Sequence, residues 1–305
     1  MKIPSFSDRE KLEKIMKASG ISRSALARRL EVDYKTIWRW LDRNVTPHAR
    51  QSRDIDQLFK EYFDLRETIF ELKKRVKDPI KILKNNRERR EELILTMTYH
   101  SNAIEGSRMT IKETEAAIAG ERVKGKELFE VLEAVNHKNA MEFMFKAIRP
   151  NFKIDEKYIL KLHEIVMYNF NNKLPGEYRT AYVNLTNSEV KLPSAQDVPL
   201  RMGRFVKKIN SYGDEPVGKI ARDHYEFEII HPFFDGNGRV GRLIMITQLL
   251  SRGLAPAVIR IEDRYKYYVG LEKCGFNDFN NIIQMVCDGV ITGYRLLTSP
   301  LSQQI

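Results

Sequence analysis

Apolar residues that return every three or four positions, in run after run, most restrict what this 305-residue chain can fold into. That spacing lines one face of a helix, whereas a half-buried strand alternates at every second residue. Leu12, Ile15 and Met16 make the first stripe, in residues 8–19, and Gly20 stops it. Ser22 caps residues 23–30, with Leu26 and Leu30 inward; after a short link Asp33 caps residues 34–41, with Ile37, Trp38 and Leu41 expected on the buried face. Residues 54–77 carry Leu58, Tyr62, Leu65, Ile69 and Leu72 as one long stripe, a connector or a dimerisation helix for a homodimer, stopped at Asp78-Pro79. Further helices are expected over 87–104, after a capping box at Thr110-x-x-Glu113, and over 126–147, 155–170, 198–212, 217–230, 237–250, 264–274 and 276–297. One strand pair interrupts them, residues 181–185 and 189–192 around Thr186-Asn187-Ser188. The fold class is mainly α with a small β-hairpin.

Composition narrows the partners. Lys and Arg number 52 against 41 Asp and Glu, a net charge of +11, which suits an anionic partner. Of that surplus, +6 lies in the first 60 residues, where 14 basic residues face 8 acidic ones. A 42% hydrophobic content excludes global disorder, and no apolar run is long enough to span a bilayer. Without an apolar leader the chain is expected in the cytoplasm, with no membrane partner. Cys274 and Cys287 are too few for a disulfide framework or a zinc site and are expected to be reduced core residues.

The basic N-terminal segment reads as helix, tight turn, helix, and its second helix presents Lys35, Thr36 and Arg39 on a polar face. A helix-turn-helix sets such a face in the DNA major groove. The stretch from Ala18 through Leu30, followed by Thr36-Ile37-Trp38-Arg39-Trp40, resembles the repressor-type helix-turn-helix family, which implies a DNA partner for residues 1–60.

The most informative segment is His231-Pro232-Phe233-Phe234-Asp235-Gly236-Asn237-Gly238-Arg239-Val240-Gly241-Arg242. It is a loop feeding a helix N-terminus, where Gly236 and Gly238 let backbone N–H groups converge on an anion. Arg239 and Arg242, three apart, add two guanidinium forks for a polyphosphate, and Asp235 supplies one carboxylate for Mg²⁺. His231 stands at the entrance as candidate general base.

These residues resemble the Fic family, whose motif H-P-F-x-(D/E)-G-N-G-R-x-x-R is met throughout. The likeness extends over about residues 90–275, through Leu162-His163-Glu164-Ile165-Val166-Met167, Pro175-Gly176-Glu177-Tyr178-Arg179 and Arg264-x-x-Tyr267-Tyr268. It implies a helical domain that transfers AMP from ATP to a Ser, Thr or Tyr hydroxyl of a protein, this chain itself included. By matching position it implies His231 as base, Asp235 for Mg²⁺, Asn237, Gly238, Arg239 and Arg242 for the nucleotide phosphates, and Tyr267 for the adenine pocket. Leu185, Thr186, Asn187, Ser188, Glu189, Val190, Lys191 and Leu192 would be the flap that aligns the target by strand addition. Ser101-Asn102-Ala103-Ile104-Glu105-Gly106 fits the family's inhibitory pattern (S/T)-x-x-x-E-(G/N), with Glu105 set to pair with Arg242. In some relatives that glutamate also helps remove AMP. The expected organisation is a helix-turn-helix domain in 1–60, a helical linker in 61–86, a Fic domain in 87–275 with its inhibitory helix in 87–106, and a C-terminal helical segment in 276–305. The competing reading is a DNA-binding transcriptional regulator that uses the Fic fold as a nucleotide sensor.

Overall fold

The computed structural model describes residues 7–184, 191–211, 213 and 215–299. The chain divides into two compact units, Met1–Thr68 and Ile69–Ile305.

In the first unit, α1 (Asp8–Ser19), α2 (Arg23–Arg29), α3 (Tyr34–Asp42) and α4 (Ala49–Tyr62) close around Leu12, Ile15, Leu26, Ile37 and Ile55, all fully buried. Ser7 and Glu10 form a capping box on α1, and Gly20 ends it in the left-handed conformation at φ 68°. Four residues separate α2 from α3, and the two pack together. Asp33 stands at the N-cap of α3, yet its side chain makes no capping hydrogen bond. Trp40, not Trp38, is the core tryptophan: Trp40 is 4% exposed, whereas Trp38 is 39% exposed with the Arg43 guanidinium 4.9 Å from its ring centroid. Ile37 and Leu41 share a face with either residue on a 3.6-residue wheel, and packing selects the one beside Ile37 and Leu41 at three and one residues' spacing.

The expected 54–77 helix is two helices. α4 stops at Tyr62, Phe63 is extended, and α5 (Leu65–Arg75) follows, with Asp64 accepting the Arg66 backbone N–H at 3.0 Å. Leu58, Leu65, Ile69 and Leu72 of the stripe are all buried. Asp78-Pro79, read as a stop, opens α6 (Pro79–Asn85) instead: Pro79 takes a position that needs no N–H, and Asp78 caps Lys81 at 2.9 Å.

The second unit continues with α7 (Arg87–Ile104), α8 (Ile111–Ile118), α9 (Leu128–Ala147), α10 (Glu156–Val166), α11 (Val198–Ile209), α12 (Pro216–Ile230), α13 (Asn237–Ser251), α14 (Arg264–Cys274) and α15 (Asn280–Thr298). Every residue of α13 except Gly238 is buried. α7, α9, α10 and α12 pack around this central rod. A helix apolar nearly all round must lie in a core, and α13 therefore fixes its own N-terminus, where the site forms. α15 packs on α12 and α14, which makes the C-terminal segment part of the same core, and Cys274 and Cys287 lie buried, joined in no disulfide. Six residues of the expected hairpin, 185–190, lie outside the described residues, and no strand occurs among the described ones. No helix among the described residues is long and apolar enough to cross a membrane.

Candidate active site

α12 ends where His231 adopts φ 47° and ψ 60°. A side-chain-bearing residue in that left-handed region stores about 1–3 kcal/mol unless its surroundings impose it. The surroundings do so at both backbone groups: the His231 N–H donates to the Phe227 carbonyl at 3.0 Å, and its carbonyl accepts the Arg179 Nε–H at 2.8 Å. The ring Nδ1 lies 3.2 Å from the Glu228 carbonyl. A carbonyl can only accept, so Nδ1 carries the proton and the neutral ring keeps its lone pair on Nε2. Burial pulls the His231 pKa below its ordinary value and nearby Arg179 adds to that, against the Glu228 hydrogen bond, Glu105 and Asp235, which favour the charged ring.

The loop beyond His231 is braced from below. Asn237 accepts the Phe233 N–H through Oδ1 and donates to the Phe233 carbonyl through Nδ2, both at 2.9 Å. Its side chain therefore closes the loop, and what it offers an anion is its backbone N–H in the first turn of α13. His163 of α10 stacks on the Phe233 ring, with centroids 3.7 Å apart and planes 3° from parallel. Its Nδ1 accepts the Gly176 N–H at 2.9 Å, so its Nε2–H must donate to the Asp235 carbonyl at 3.1 Å. Burial lowers its pKa to about 4, the neutral state those bonds require. Gly236, at φ 76°, has no room for a Cβ, which would sit 2.9 Å from Met167 Sδ.

Both motif arginines are buried and bonded. Arg239 donates to Glu133 of α9 at 2.8 Å and to Asp235 at 3.2 Å. Arg242 donates to Ser101 Oγ, to the Ser101 carbonyl, both at 2.9 Å, and to Glu105 Oε1 at 2.7 Å. Burial works against the Arg242 charge, but Glu105 and the neighbouring acidic groups outweigh it, and the group is held above its ordinary pKa. Its Nη1 is buried with no partner among the described residues. That nitrogen and the Glu105 carboxylate both crowd Gly238, where any added Cβ would collide with Glu105. Glu105 itself caps the C-terminus of α7, so Ser101 and Glu105 reach Arg242 from the last turn of one helix.

Tyr267 is 2% exposed; its hydroxyl is 2.7 Å from His224 Nε2, and Arg242 stands 6.0 Å over its ring. It lies against the arginine with almost none of its surface exposed. Next to it, burial raises the Glu228 carboxyl to about 8, against the pull of Arg242. Gly241 brings α13 close to α12 here: a Cβ would meet Phe227 Cδ1 at 3.0 Å and the Glu228 carboxylate. Among the described residues no group of three or more His, Cys, Asp or Glu could hold a metal. Asp235 has one oxygen to offer a hard cation: its Oδ1 is engaged by Gly236 and Arg239, while its Oδ2 has, among the described residues, only Lys173 at 3.9 Å, and the side chain is 43% exposed. One carboxylate oxygen suits Mg²⁺ held mainly by phosphates and water. Lys191 is exposed and Leu192 buried, whereas Leu185, Thr186, Asn187, Ser188, Glu189 and Val190 lie outside the described residues. Lys35 and Arg39 are exposed and Thr36 half-buried on α3 of the first unit.

Glu133, Glu228 and His224 carry no signal for the site in the sequence, and His163 and Arg179 stand in family-like stretches that assign them no role. Each lies far along the chain from the group it serves or carries no signature of its own, and only the packing of α9, α10 and α12 on α13 reveals them.

Residues 153–249 match the family model described as Fic/DOC family. Over 226 residues the chain is 32% identical to the "Protein adenylyltransferase Fic" of Drosophila persimilis, covering 72% of this chain and 44% of that protein. The chain thus spans about 44% of the length of that curated relative. A Fic family protein from Desulfovibrio desulfuricans superposes with a TM-score of 0.64 at 27% identity, over 76% of this chain and 72% of that one. A Fic domain containing signaling protein from Bacteroides thetaiotaomicron gives a TM-score of 0.67 at 22% identity, over 79% of this chain and 100% of that one, a likeness of fold. The loop from His231 to Arg242 and the helices that brace it belong to a domain of the Fic/DOC family.

Proposed function

We propose that this protein is a protein adenylyltransferase, transferring AMP from ATP to a Ser, Thr or Tyr hydroxyl of a protein. The observation that carries this reading is the fixed tautomer of His231, whose Nε2 lone pair faces no partner among the described residues at the mouth of a helix N-terminus built for phosphate. The target oxygen attacks the α-phosphorus and gives its proton to His231 Nε2. The bond from that phosphorus to the β-phosphate bridging oxygen breaks, and pyrophosphate leaves. The N-terminal turn of α13, with the backbone N–H groups of Asn237 and Gly238, holds the charge that develops on the α-phosphate. Arg242 Nη1, buried beside Gly238 with no partner among the described residues, is a donor that a distal phosphate oxygen would satisfy, and Arg239 stands in the same turn of the helix. Mg²⁺, when bound at Asp235, would neutralise phosphate charge. Residues 185–192 are proposed as the segment that aligns the target.

In the same reading Glu105 is a brake, because it occupies the guanidinium that the distal phosphate requires. The name of the curated relatives, protein adenylyltransferase, supports the reaction class. Intact-mass analysis of Glu105→Gly with ATP and Mg²⁺ tests both parts: the expected result is a gain of one AMP per modified site, lost on the order of 10³-fold when His231→Ala is added. A Glu105→Gly protein that binds ATP and never becomes labelled would favour the nucleotide-sensor alternative.

The first unit is proposed as a helix-turn-helix that binds DNA through α3. Lys35 and Arg39 support this: they are exposed and have no ion pair among the described residues, while Tyr34 and Trp38 stand exposed beside them. Fluorescence anisotropy with labelled duplex across a salt series is the measurement that decides it.

A further inference from the structure

Arg179 is a buried cation with no carboxylate partner among the described residues. It is 2% exposed, and burial works against its charge. A buried guanidinium normally stands opposite an acid; removing one from water to bond only neutral groups is costly, and the arrangement persists where something else depends on it. Here the acceptors are three carbonyls from three places in the chain. Nε–H donates to His231 at 2.8 Å, Nη1 to Ala181 at 3.0 Å and Nη2 to Pro193 at 2.6 Å. The backbone N–H of Arg179 adds a fourth tie, to the Pro232 carbonyl at 2.9 Å.

One rigid plane thus joins the backbone of the catalytic histidine to both ends of the segment 181–193. The His231 carbonyl it holds belongs to the residue at φ 47°, a conformation that lapses when the contacts imposing it are removed. Arg fits this task and Lys does not. The guanidinium presents donors in a fixed fork that can reach three acceptors at once, whereas an ammonium is a point charge on a flexible stem.

We propose that Arg179 is a positioning residue for transfer: it sets the distance and direction between His231 and the residues Ala181 and Pro193, which flank the stretch proposed to align the target. The inference rests on the adenylyltransferase reading and adds what aligns the acceptor half of that reaction, as distinct from the nucleotide half. The Arg179 side chain touches no residue assigned to phosphate, so its loss should act on transfer and leave nucleotide binding nearly intact.

The test uses the full chain in the Glu105→Gly background with Arg179→Gln and Arg179→Lys. Three quantities are followed: the dissociation constant of ATP by calorimetry, the rate of AMP incorporation into the protein at saturating ATP by intact mass, and the titration of the His231 ring by NMR. Both variants are expected to bind ATP within about twofold of the parent and to lose on the order of 10²-fold in rate, the scale of a displacement of about 1 Å at a reacting group. The ring is also flanked by Glu105, absent in this background, by Asp235 and by the Glu228 carbonyl. Arg179→Gln removes the one cation in that set and should raise the His231 pKa, while Arg179→Lys keeps the charge and should leave it near the parent's. Amide exchange should quicken at residues 181–184 and 191–194 in both. Arg179→Lys transferring at the parent's rate would overturn the proposal, as would a loss of rate matched by an equal loss of ATP affinity. If Arg179→Gln fails to fold, the lysine variant alone decides. A parent that never transfers AMP would end the adenylyltransferase reading, whereas the exchange and titration data would still judge the clamp.

Discussion

The cations of α3 and those of α13 are the same kinds of residue put to opposite physical use. Lys35 and Arg39 stand in water with no ion pair among the described residues, and the charge they offer is available at once and screened by salt. Arg239 and Arg242 are 2% and 4% exposed, and each already holds a carboxylate: Glu133 and Asp235 on one, Glu105 on the other. An anion meeting α3 displaces counterions, but an anion meeting α13 must displace, or fit around, part of the protein. Net charge therefore bears on what the first surface can attract and says little about the second. There the arginines are held by acids, two of which, Glu133 and Glu105, lie far along the chain.

The contrast can be broken or sharpened in four ways, from the largest effect to the smallest. Within the first unit, Trp40→Ala should cost about 3–5 kcal/mol of stability and Trp38→Ala under about 1 kcal/mol, since only the first empties a core site; urea denaturation of the two proteins measures the gap. If Trp38→Ala proved the costlier, the face of α3 assigned to DNA would be wrong.

At the other site, Arg242→Ala in the Glu105→Gly background should lower AMP transfer by about 10²–10³-fold, the worth of one preorganised donor to developing charge. Equal rates in single-turnover assays would mean that the buried set does not bear on the phosphates.

Acid should separate the units next. Burial holds His137 at about 3, His163 at about 4 and His224 at about 3, all in the second unit, and lowers His100 and His231 too. The unfolded chain binds protons on these rings below about pH 6.5 and the folded one does not, so stability falls as pH drops from about 6.5 towards 4. Glu228, raised to about 8, acts in reverse: folded, it keeps a proton that the unfolded chain has lost above about pH 4.5, so its contribution fades as pH rises towards 8. With three firmly neutral rings against one such acid, the second unit should lose roughly 2–3 kcal/mol per pH unit below about 6. Thermal melts between pH 4.5 and 7.5 would show it, and a flat profile would contradict the buried neutral histidines. The smallest effect is at the surface: Lys35→Ala and Arg39→Ala should each reduce the slope of log K against log salt for duplex binding by about one.

Much of this arrangement was legible from the chain. α7 and α14 end at Ile104 and Cys274, where the expected ranges put them, and the loop from His231 does lead into the N-terminus of a helix, α13. The errors share a cause, namely that local signals have two outcomes and packing selects one. Pro79 can end a helix or begin one, and Asp78 on Lys81 made it a beginning. Trp38 and Trp40 are equivalent on a wheel until α1 and α2 pack on α3 and one side of it is buried. The supports of the site were hidden for a different reason: Arg179 to His231, Glu133 to Arg239 and Ser101 to Arg242 join residues 52, 106 and 141 positions apart, and no local pattern encodes such pairs.

Gly241 gives the motif a reach it does not advertise. The pattern leaves that position unspecified, so a search by motif would pass an alanine there as silent. In the fold, a methyl group at 241 would press on the Phe227 ring and the Glu228 carboxylate, the residues whose carbonyls hold the backbone N–H and the ring of His231. A substitution ten residues after His231 would therefore be felt at His231 itself, transmitted by the thickness of one side chain across a helix crossing.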